Sequence, residues 1–320
     1  MKKRVYLGID TSNYTTSVAI VGADGGLVAN LKRPLPVKAG ERGLRQSDAV
    51  FAHIKNLPSL MDEAGEILAD CEIVAVGVSE RPRNVEGSYM PCFLAGVAAA
   101  RSLVAPLGVP LYGFSHQCGH VMAAIYSSGA ALPDGVPFAA LHLSGGTSEL
   151  LRVTRSENGF DCDLVGGTRD LNAGQVIDRV GVSLGLPFPA GPHLEALARD
   201  YRGKILKKHP STDGTYMSLS GAENIANRLY DDTADKSAVA AFVFDYIGAA
   251  VEGICRAYVE KYGDTPFVFA GGVMCNSIIK SRLASAFGQA YFAEPSMSAD
   301  NAVGIAVLTR TRHINESGEE

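Results

Sequence analysis

Residues 138–165 read FAALHLSGGTSELLRVTRSENGFDCDLV. Three short apolar runs, Phe138–Leu143, Glu149–Val153 and Phe160–Val165, are separated by Ser144-Gly145-Gly146 and Glu157-Asn158-Gly159. Gly, Asn and Ser at those points are turn signals, so the spacing predicts three consecutive strands. The beginning of the chain has the same grammar. RVYLGID at 4–10, Thr16–Val21 and Gly26–Lys32 are three strand candidates, the last two joined by the turn-rich ADGG at 23–26.

The two triplets also lead into similar series of elements. After the first come a helical pattern at 47–65, with Val50, Ile54, Leu57, Leu60 and Met61 at i, i+3, i+4 spacing, a strand at Ile73–Val78, a small-residue helix at Cys92–Leu107 and a strand at Val109–Phe114. After the second come helices at 172–185 and 190–200, a long helix at 235–262, a strand at Phe267–Ala270, a helix from near Met274, a strand at 290–293 and a helix near 300–311. Three strands and then alternating helices and strands, twice over, predict two similar α/β domains around a central cleft. No sequence repeat accompanies the repeated order. The boundary falls near 115: residues 1–115 read as the N-terminal domain and 116–320 as the C-terminal one. The polar segment 201–233 reads as an inserted loop region, and the last helix is expected to pack back on the N-terminal domain.

At 320 residues the chain has room for about two domains. Its composition, 47% apolar and 20% charged, supports a sizeable core. A net charge of −5 excludes the strongly basic balance of a lone nucleic-acid binder, so contact with RNA would call for a local patch or a partner subunit. The N-terminal MKKRVYLGIDTS lacks a signal-peptide apolar stretch, and the longest uncharged run, Ser102–Pro133, carries three prolines and two histidines. Six cysteines stand without a CxxC pair and read as reduced thiols. A soluble, cytoplasmic protein is expected.

The most specific chemical feature is His116-Gln-Cys-Gly-His120. Two histidines at i and i+4 share one helix face and can bind one metal ion, although two helix-packing histidines give the same pattern. Zinc-protease chemistry needs Glu after the first histidine, where this chain has Gln117. Asp300, in Ser298-Ala-Asp-Asn301, is a candidate third ligand. The tract Leu143-Ser144-Gly145-Gly146-Thr147 suits either a phosphate cradle or a tight hairpin. AGGVMCN at 270–276 comes after a strand and opens a helix, which directs a helix N-terminus at an anion; Asn276 is there a base or ribose contact or a helix cap. Asp178 beside Arg179 reads as a solvated pair, or, with Gly191 in PFPAGP, as one side of a ribose pocket. Lys32, Arg33, Lys38, Arg42 and Arg45 are a solvated loop or a phosphate-backbone contact.

Taken in order, LGIDTS (7–12), HQCGH (116–120), LSGGT (143–147), NAGQVIDRVGVSLGLPFPAGP (172–192), SLSGAEN (218–224), AGGVMCNS (270–277) and SADNAVGIA (298–306) resemble the TsaD/Gcp (YgjD) family. The resemblance spans nearly the whole chain and implies an α/β protein of the actin-like, Hsp70-like (ASKHA) ATPase fold. It implies a transferase that moves a threonylcarbamoyl group from threonylcarbamoyl-AMP to N6 of adenosine 37 in tRNAs reading ANN codons. By that likeness His116, His120 and Asp300 hold Fe2+ or Zn2+, while Leu143–Thr147, Asp178, Gly191 and Asn276 hold the adenylate or ATP. The companions implied are tRNA, a TsaB-type subunit and a TsaE-type ATPase, with no membrane.

The chain departs from the family pattern at several positions. Tyr14 and Thr15 stand where the first loop carries acids, Cys118 replaces the HxEGH glutamate, and Thr147 replaces the SGGH histidine. Gln175 replaces a helix-start acid, Glu223 a lysine, and Ser79–Arg83 a Gly-Pro-Gly turn. The pattern is that of a divergent paralogue with metal and nucleotide binding kept. Its alternatives are a carbamoyltransferase acting on a small molecule and a nucleotide-binding regulator without transfer chemistry. A sugar kinase and a protease rank below these.

Overall fold

The computed structural model describes residues 2–36, 44–157 and 159–318. Lys38, Arg42 and Asn158 lie outside the described residues. The chain divides into two compact units: the first is Met1–Ser127, Arg155–Asp161 and Met297–Glu320, the second Ser128–Thr154 and Cys162–Ser296.

In the first unit, β1 (Lys3–Thr11), β2 (Thr15–Gly22) and β3 (Leu27–Pro34) form an antiparallel meander. β4 (Cys71–Arg81) and β5 (Leu111–Ser115) extend the sheet in parallel beyond β1, giving the order β3-β2-β1-β4-β5. Every residue of β1 from Val5 to Thr11 is buried, as expected of a central strand covered on both faces. Alternation assigns the faces. Val5, Leu7, Ile9, Val18 and Ile20 meet Leu57, Leu60 and Ala64 of α1 (Gln46–Leu68) and Ala95 and Ala100 of α2 (Phe93–Leu107). Ala19 and Val21, one residue out of phase, meet Ala302, Val303 and Ala306 at the start of the last helix, α9 (Val303–Ser317; α4 to α8 lie in the second unit). α3 (His116–Ser128) starts directly after β5 and packs beneath α9. The approach is so close that a Cβ at Gly304 would lie 1.9 Å from the Gly119 carbonyl.

The second unit repeats the nested order. β6 (Phe138–Leu143), β7 (Ser148–Ser156), β8 (Gly159–Thr168), β11 (Phe267–Ala270) and β12 (Ala290–Phe292) occupy the places of β1, β2, β3, β4 and β5. β6 pairs antiparallel with β7 and parallel with β11, which pairs parallel with β12. Around this sheet lie α4 (Ala173–Ser183), α5 (Gly191–Asp200), α6 (Gly221–Thr233), α7 (Lys236–Tyr262) and α8 (Ser277–Ala286). α7 starts where Asp235 accepts hydrogen bonds from Ser237 N (2.9 Å) and Ala238 N (3.1 Å). It buries Phe242, Val243, Ile247, Val251 and Ile254, each such side chain stabilising by about 1.5–3 kcal/mol. Among the described residues α7 is the one helix long and apolar enough to cross a membrane, and it is the buried core helix of this unit.

Three differences from the sequence reading have physical reasons. The segment 201–233 is not an irregular insertion: β9 (Ser211–Asp213) and β10 (Tyr216–Ser218) form a hairpin, and α6 comes next. β10 pairs parallel with β8, so the sheet reaches seven strands in the order β12-β11-β6-β7-β8-β10-β9. The first unit continues past residue 115 through α3 to Ser127, because that helix packs against α9 within it. α9 begins at Val303 rather than near 300, since Asn301 accepts from Val303 N (3.0 Å) and donates to the carbonyls of Met297 (3.1 Å) and Ala299 (2.8 Å). Those bonds leave Asp300 in a braced turn before the helix.

Candidate metal centre and nucleotide-binding elements

The metal-ligand candidates all lie in the first unit. Ser115 Oγ accepts from Cys118 N (3.2 Å), which makes Ser115 the cap of α3 and places His116 and His120 on one face of its first turns. Their rings stand 4.3 Å apart, edge to face. The Gly119–Gly304 crossing brings the turn before α9 to that face. There Asp300 Oδ1 lies 3.2 Å from His120 Nε2 and 3.6 Å from His116 Nε2, and the three possible ligand atoms all fall within 4.8 Å of one another.

These residues suit a divalent cation. Ligands at about 2.0–2.2 Å from one ion stand roughly 3–3.5 Å apart, the spacing found around Asp300. His116 Nδ1 donates to Asp10 Oδ1 at 2.8 Å, which fixes the tautomer and directs the Nε2 lone pair toward the candidate metal position. Asp10 is fully buried, and its Oδ2 has no hydrogen-bond partner. Ser12 Oγ donates to Asp300 Oδ2 at 2.8 Å, so Oδ1 is the oxygen facing the imidazoles. Burial opposes the charge on His116, but the Asp10 carboxylate, then Asp300, overcomes it and pushes the imidazole up to about 10. Burial likewise opposes the Asp300 charge, and the bonds from His116 and then His120 outweigh it, holding this carboxyl well below the usual carboxylate range.

The nucleotide candidates all lie in the second unit. The Leu143–Thr147 tract is a turn closed by Ser144 N to Thr147 O (2.7 Å), with Ser144 Oγ accepting from Gly146 N (3.2 Å) and Thr147 N (3.0 Å). It is a hairpin turn and also an open cradle, because a Cβ on Gly145 or Gly146 would meet nothing within 4 Å. α4 starts against it: Gly174 N donates to Ser144 O (3.1 Å), and a Cβ at Gly174 would come within 2.6 Å of Gly145 N. Gly271 packs on the same tract, with its φ at +93° and a notional Cβ 2.2 Å from Leu143 O. Asp178 Oδ1 accepts from Ala190 N at 2.8 Å, which fastens α4 to the residue before Gly191. Asn276 is a helix cap, its Oδ1 accepting from Ile278 N (3.1 Å) and Ile279 N (3.0 Å), while its buried Nδ2 has no partner.

A family model described as tRNA N6-adenosine threonylcarbamoyltransferase, TsaD, matches residues 38–307. The chain belongs to the TsaD family. Solved structures of similar fold include HypF from T. kodakarensis, 12% identical over 98% of this chain and 48% of that one, with a TM-score of 0.60. Component A of the Acidaminococcus fermentans (R)-2-hydroxyglutaryl-CoA dehydratase is 14% identical over 96% and 98%, with a TM-score of 0.54. A ROK family glucokinase from Streptomyces griseus is also 14% identical, over 96% and 99%, with a TM-score of 0.51. These likenesses establish the fold as the actin-like ATPase type with two sheets.

The departures from the TsaD pattern have definite places. Tyr14 is 46% exposed in the β1–β2 turn, and Thr15 opens β2. Cys118 is fully buried, its sulfur 3.2 Å from Asn84 Nδ2 and from the Phe160 carbonyl, so it fills the interior beside α3. Gln175 completes a capping box with Asn172 at the start of α4. Glu223 forms an ion pair with Arg179 at 3.3 Å, so the residue beside Asp178 is bound across to α6. Arg33 pairs with Glu63, which leaves it a structural surface residue. The sequence pattern gives no sign of His53, and it names Asp10 and Ser12 only within the LGIDTS tract. Each acts through a bond between residues distant in sequence, which no local pattern announces.

Proposed function

We propose that this chain transfers the threonylcarbamoyl group of threonylcarbamoyl-AMP to N6 of adenosine 37 in tRNAs reading ANN codons. The observation that carries the reading is the His116–His120–Asp300 cluster, with His116 oriented by Asp10 and Asp300 by Ser12. His116, His120 and Asp300 would hold Fe2+ or Zn2+. Such an ion supplies Lewis-acid polarisation of the carbamoyl carbonyl, which favours attack by an amine and departure of AMP. Asp10 keeps His116 in the ligating tautomer.

In the second unit, Leu143–Thr147 receives the adenylate phosphate through backbone that Gly145 and Gly146 leave open. The Asp178 oxygen not engaged by Ala190, together with Gly191, receives the ribose, and the Asn276 Nδ2 donor turns to an acceptor on the nucleoside. The net charge of −5 favours tRNA capture in a complex, with TsaB-type and TsaE-type subunits as companions in the cytoplasm.

The test is incubation of the metal-loaded protein with labelled threonylcarbamoyl-AMP, unmodified tRNA and candidate companions, with His116→Ala as the blank. Label on tRNA that depends on His116 supports the reading. Donor binding with label passed only to a small amine or hydroxyl compound replaces tRNA as acceptor, and donor binding with no transfer makes the chain a regulator. No donor binding at all sinks the assignment of the second-unit residues.

A further inference from the structure

His53 is fully buried on α1, and its two ring nitrogens are joined to the turn between β1 and β2 and to the start of β2. Its Nε2 lies 2.8 Å from the Ser12 carbonyl oxygen, and its Nδ1 lies 2.8 Å from Thr16 Oγ1. Asn56, nearly one turn further along α1, donates from Nδ2 to Thr16 Oγ1 at 3.1 Å. The chemistry of the partners fixes every proton. A carbonyl only accepts, so Nε2 carries the hydrogen and donates to Ser12; Nδ1 then accepts from the Thr16 hydroxyl, whose oxygen accepts from Asn56. Burial lowers the His53 pKa, in keeping with this neutral form. The imidazole therefore staples Ser12 in the turn and Thr16 in β2 to one helix.

That turn carries Ser12, whose hydroxyl holds Asp300 Oδ2 at 2.8 Å and so decides which carboxylate oxygen faces His116 and His120. We infer that His53 is a positioning residue for the metal centre, acting through the Ser12 backbone to set the orientation of the Asp300 carboxylate. The chain of contact is continuous: α1 to His53, His53 to the Ser12 carbonyl, Ser12 hydroxyl to Asp300, and Asp300 to the two histidines. Groups that orient a ligand from behind commonly govern metal affinity by about 10–100-fold. The inference rests on the reading of His116, His120 and Asp300 as metal ligands.

The experiment uses the two amides that resemble halves of an imidazole. In His53→Gln the side-chain amide nitrogen takes the place of Nε2 and keeps a donor to the Ser12 carbonyl. In His53→Asn the side-chain amide oxygen takes the place of Nδ1 and keeps only the bond from the Thr16 hydroxyl. Affinity of the full-length chain for Zn2+ is read by competition with a chromophoric chelator, the ligand field by the visible spectrum of the Co2+ form, and stability by urea unfolding.

The expected result is that Gln retains affinity within about threefold of the parent, while Asn and Ser12→Ala each lose about tenfold and alter the Co2+ spectrum. The double variant His53→Asn/Ser12→Ala is expected to lose no more than Ser12→Ala alone, because both changes cut one chain of contact. Equal affinities for Gln and Asn at unequal stabilities, or multiplicative losses in the double variant, would overturn the inference by reducing His53 to a packing residue. Failure of the parent chain to bind a stoichiometric metal ion is a separate result, which removes the metal reading itself and this inference with it.

Discussion

The candidate sites of the two units are built in opposite ways. In the first, side chains converge from β1, α3 and the turn before α9, and two of them are gripped from behind: His116 by Asp10, and Asp300 by Ser12. In the second, the loop at 143–147 is formed by missing side chains, with Gly174 and Gly271 letting α4 and the 270–276 turn close on its backbone. A side-chain site is tuned by charge and proton position. A backbone cradle is tuned by steric clearance, and this difference predicts which perturbation each will tolerate.

The largest effect should come from His120→Ala or Asp300→Ala, which removes a candidate ligand outright. Metal affinity is expected to fall by more than about 100-fold, beyond the usual cost of losing an orienting group, while AMP affinity stays near parental. Metal content after dialysis and AMP calorimetry check this, and an equal loss of both would break the separation between the two sites. The mirror experiment is Gly174→Ala. Its methyl group would press on Gly145 backbone at 2.6 Å, so a destabilisation of about 1–3 kcal/mol and weaker AMP binding are expected, with metal affinity unchanged. Gly304→Ala, where the nearest atom is the Gly119 carbonyl at 1.9 Å, should do the reverse and harm the metal site by forcing α9 from α3.

Asn276 sharpens the contrast, because one atom of its side chain caps α8 while the other is buried without a partner. Asn276→Ala should cost about 1 kcal/mol through loss of the cap. Asn276→Asp keeps an accepting oxygen and should cost less, yet both variants should weaken AMP binding by removing Nδ2.

Acid and alkali should also separate the units. In the metal-free chain His116 is raised from 6.5 to about 10, so its contribution to stability is complete below pH 6.5 and is lost as pH rises through about 10. Asp10→Asn should flatten that alkaline loss. Asp170 is the acid counterpart in the second unit. Burial would raise its pKa, but bonds from Ser220, Leu219 and Leu171 hold it at about 2. Its stabilisation is present above 3.8 and lost as pH falls through about 2. Asp170 is exposed to solvent, which screens it, so Asp170→Asn is expected to cost only about 1 kcal/mol at neutral pH. Urea midpoints across pH check both signs.

The strand triplets are legible because apolar runs alternate with Gly and Asn turns, and α1 because its apolar residues recur at helical spacing. The 201–233 segment is not, since β9 and β10 are three residues each and α6 buries only Ala222 and Ala226. Strands that short have no periodicity to read, and two alanines make a faint apolar stripe. In the site, His116 and His120 announce themselves at i, i+4, whereas Asp10, Ser12 and His53 matter only through bonds across the fold. Asn276 is open to two readings in the sequence, and its geometry accommodates both: one atom caps, the other is free for a ligand.

The first unit is discontinuous, closed by a segment that begins at Met297. During synthesis the ribosome therefore makes His116 and His120, then all of the second unit, before Asp300, the candidate third ligand, exists. A nascent or truncated chain offers two imidazoles and no carboxylate from position 300, a far weaker grip on a cation. A metal site built on these three residues would thus form late in the life of the polypeptide, only once Asp300 has been made.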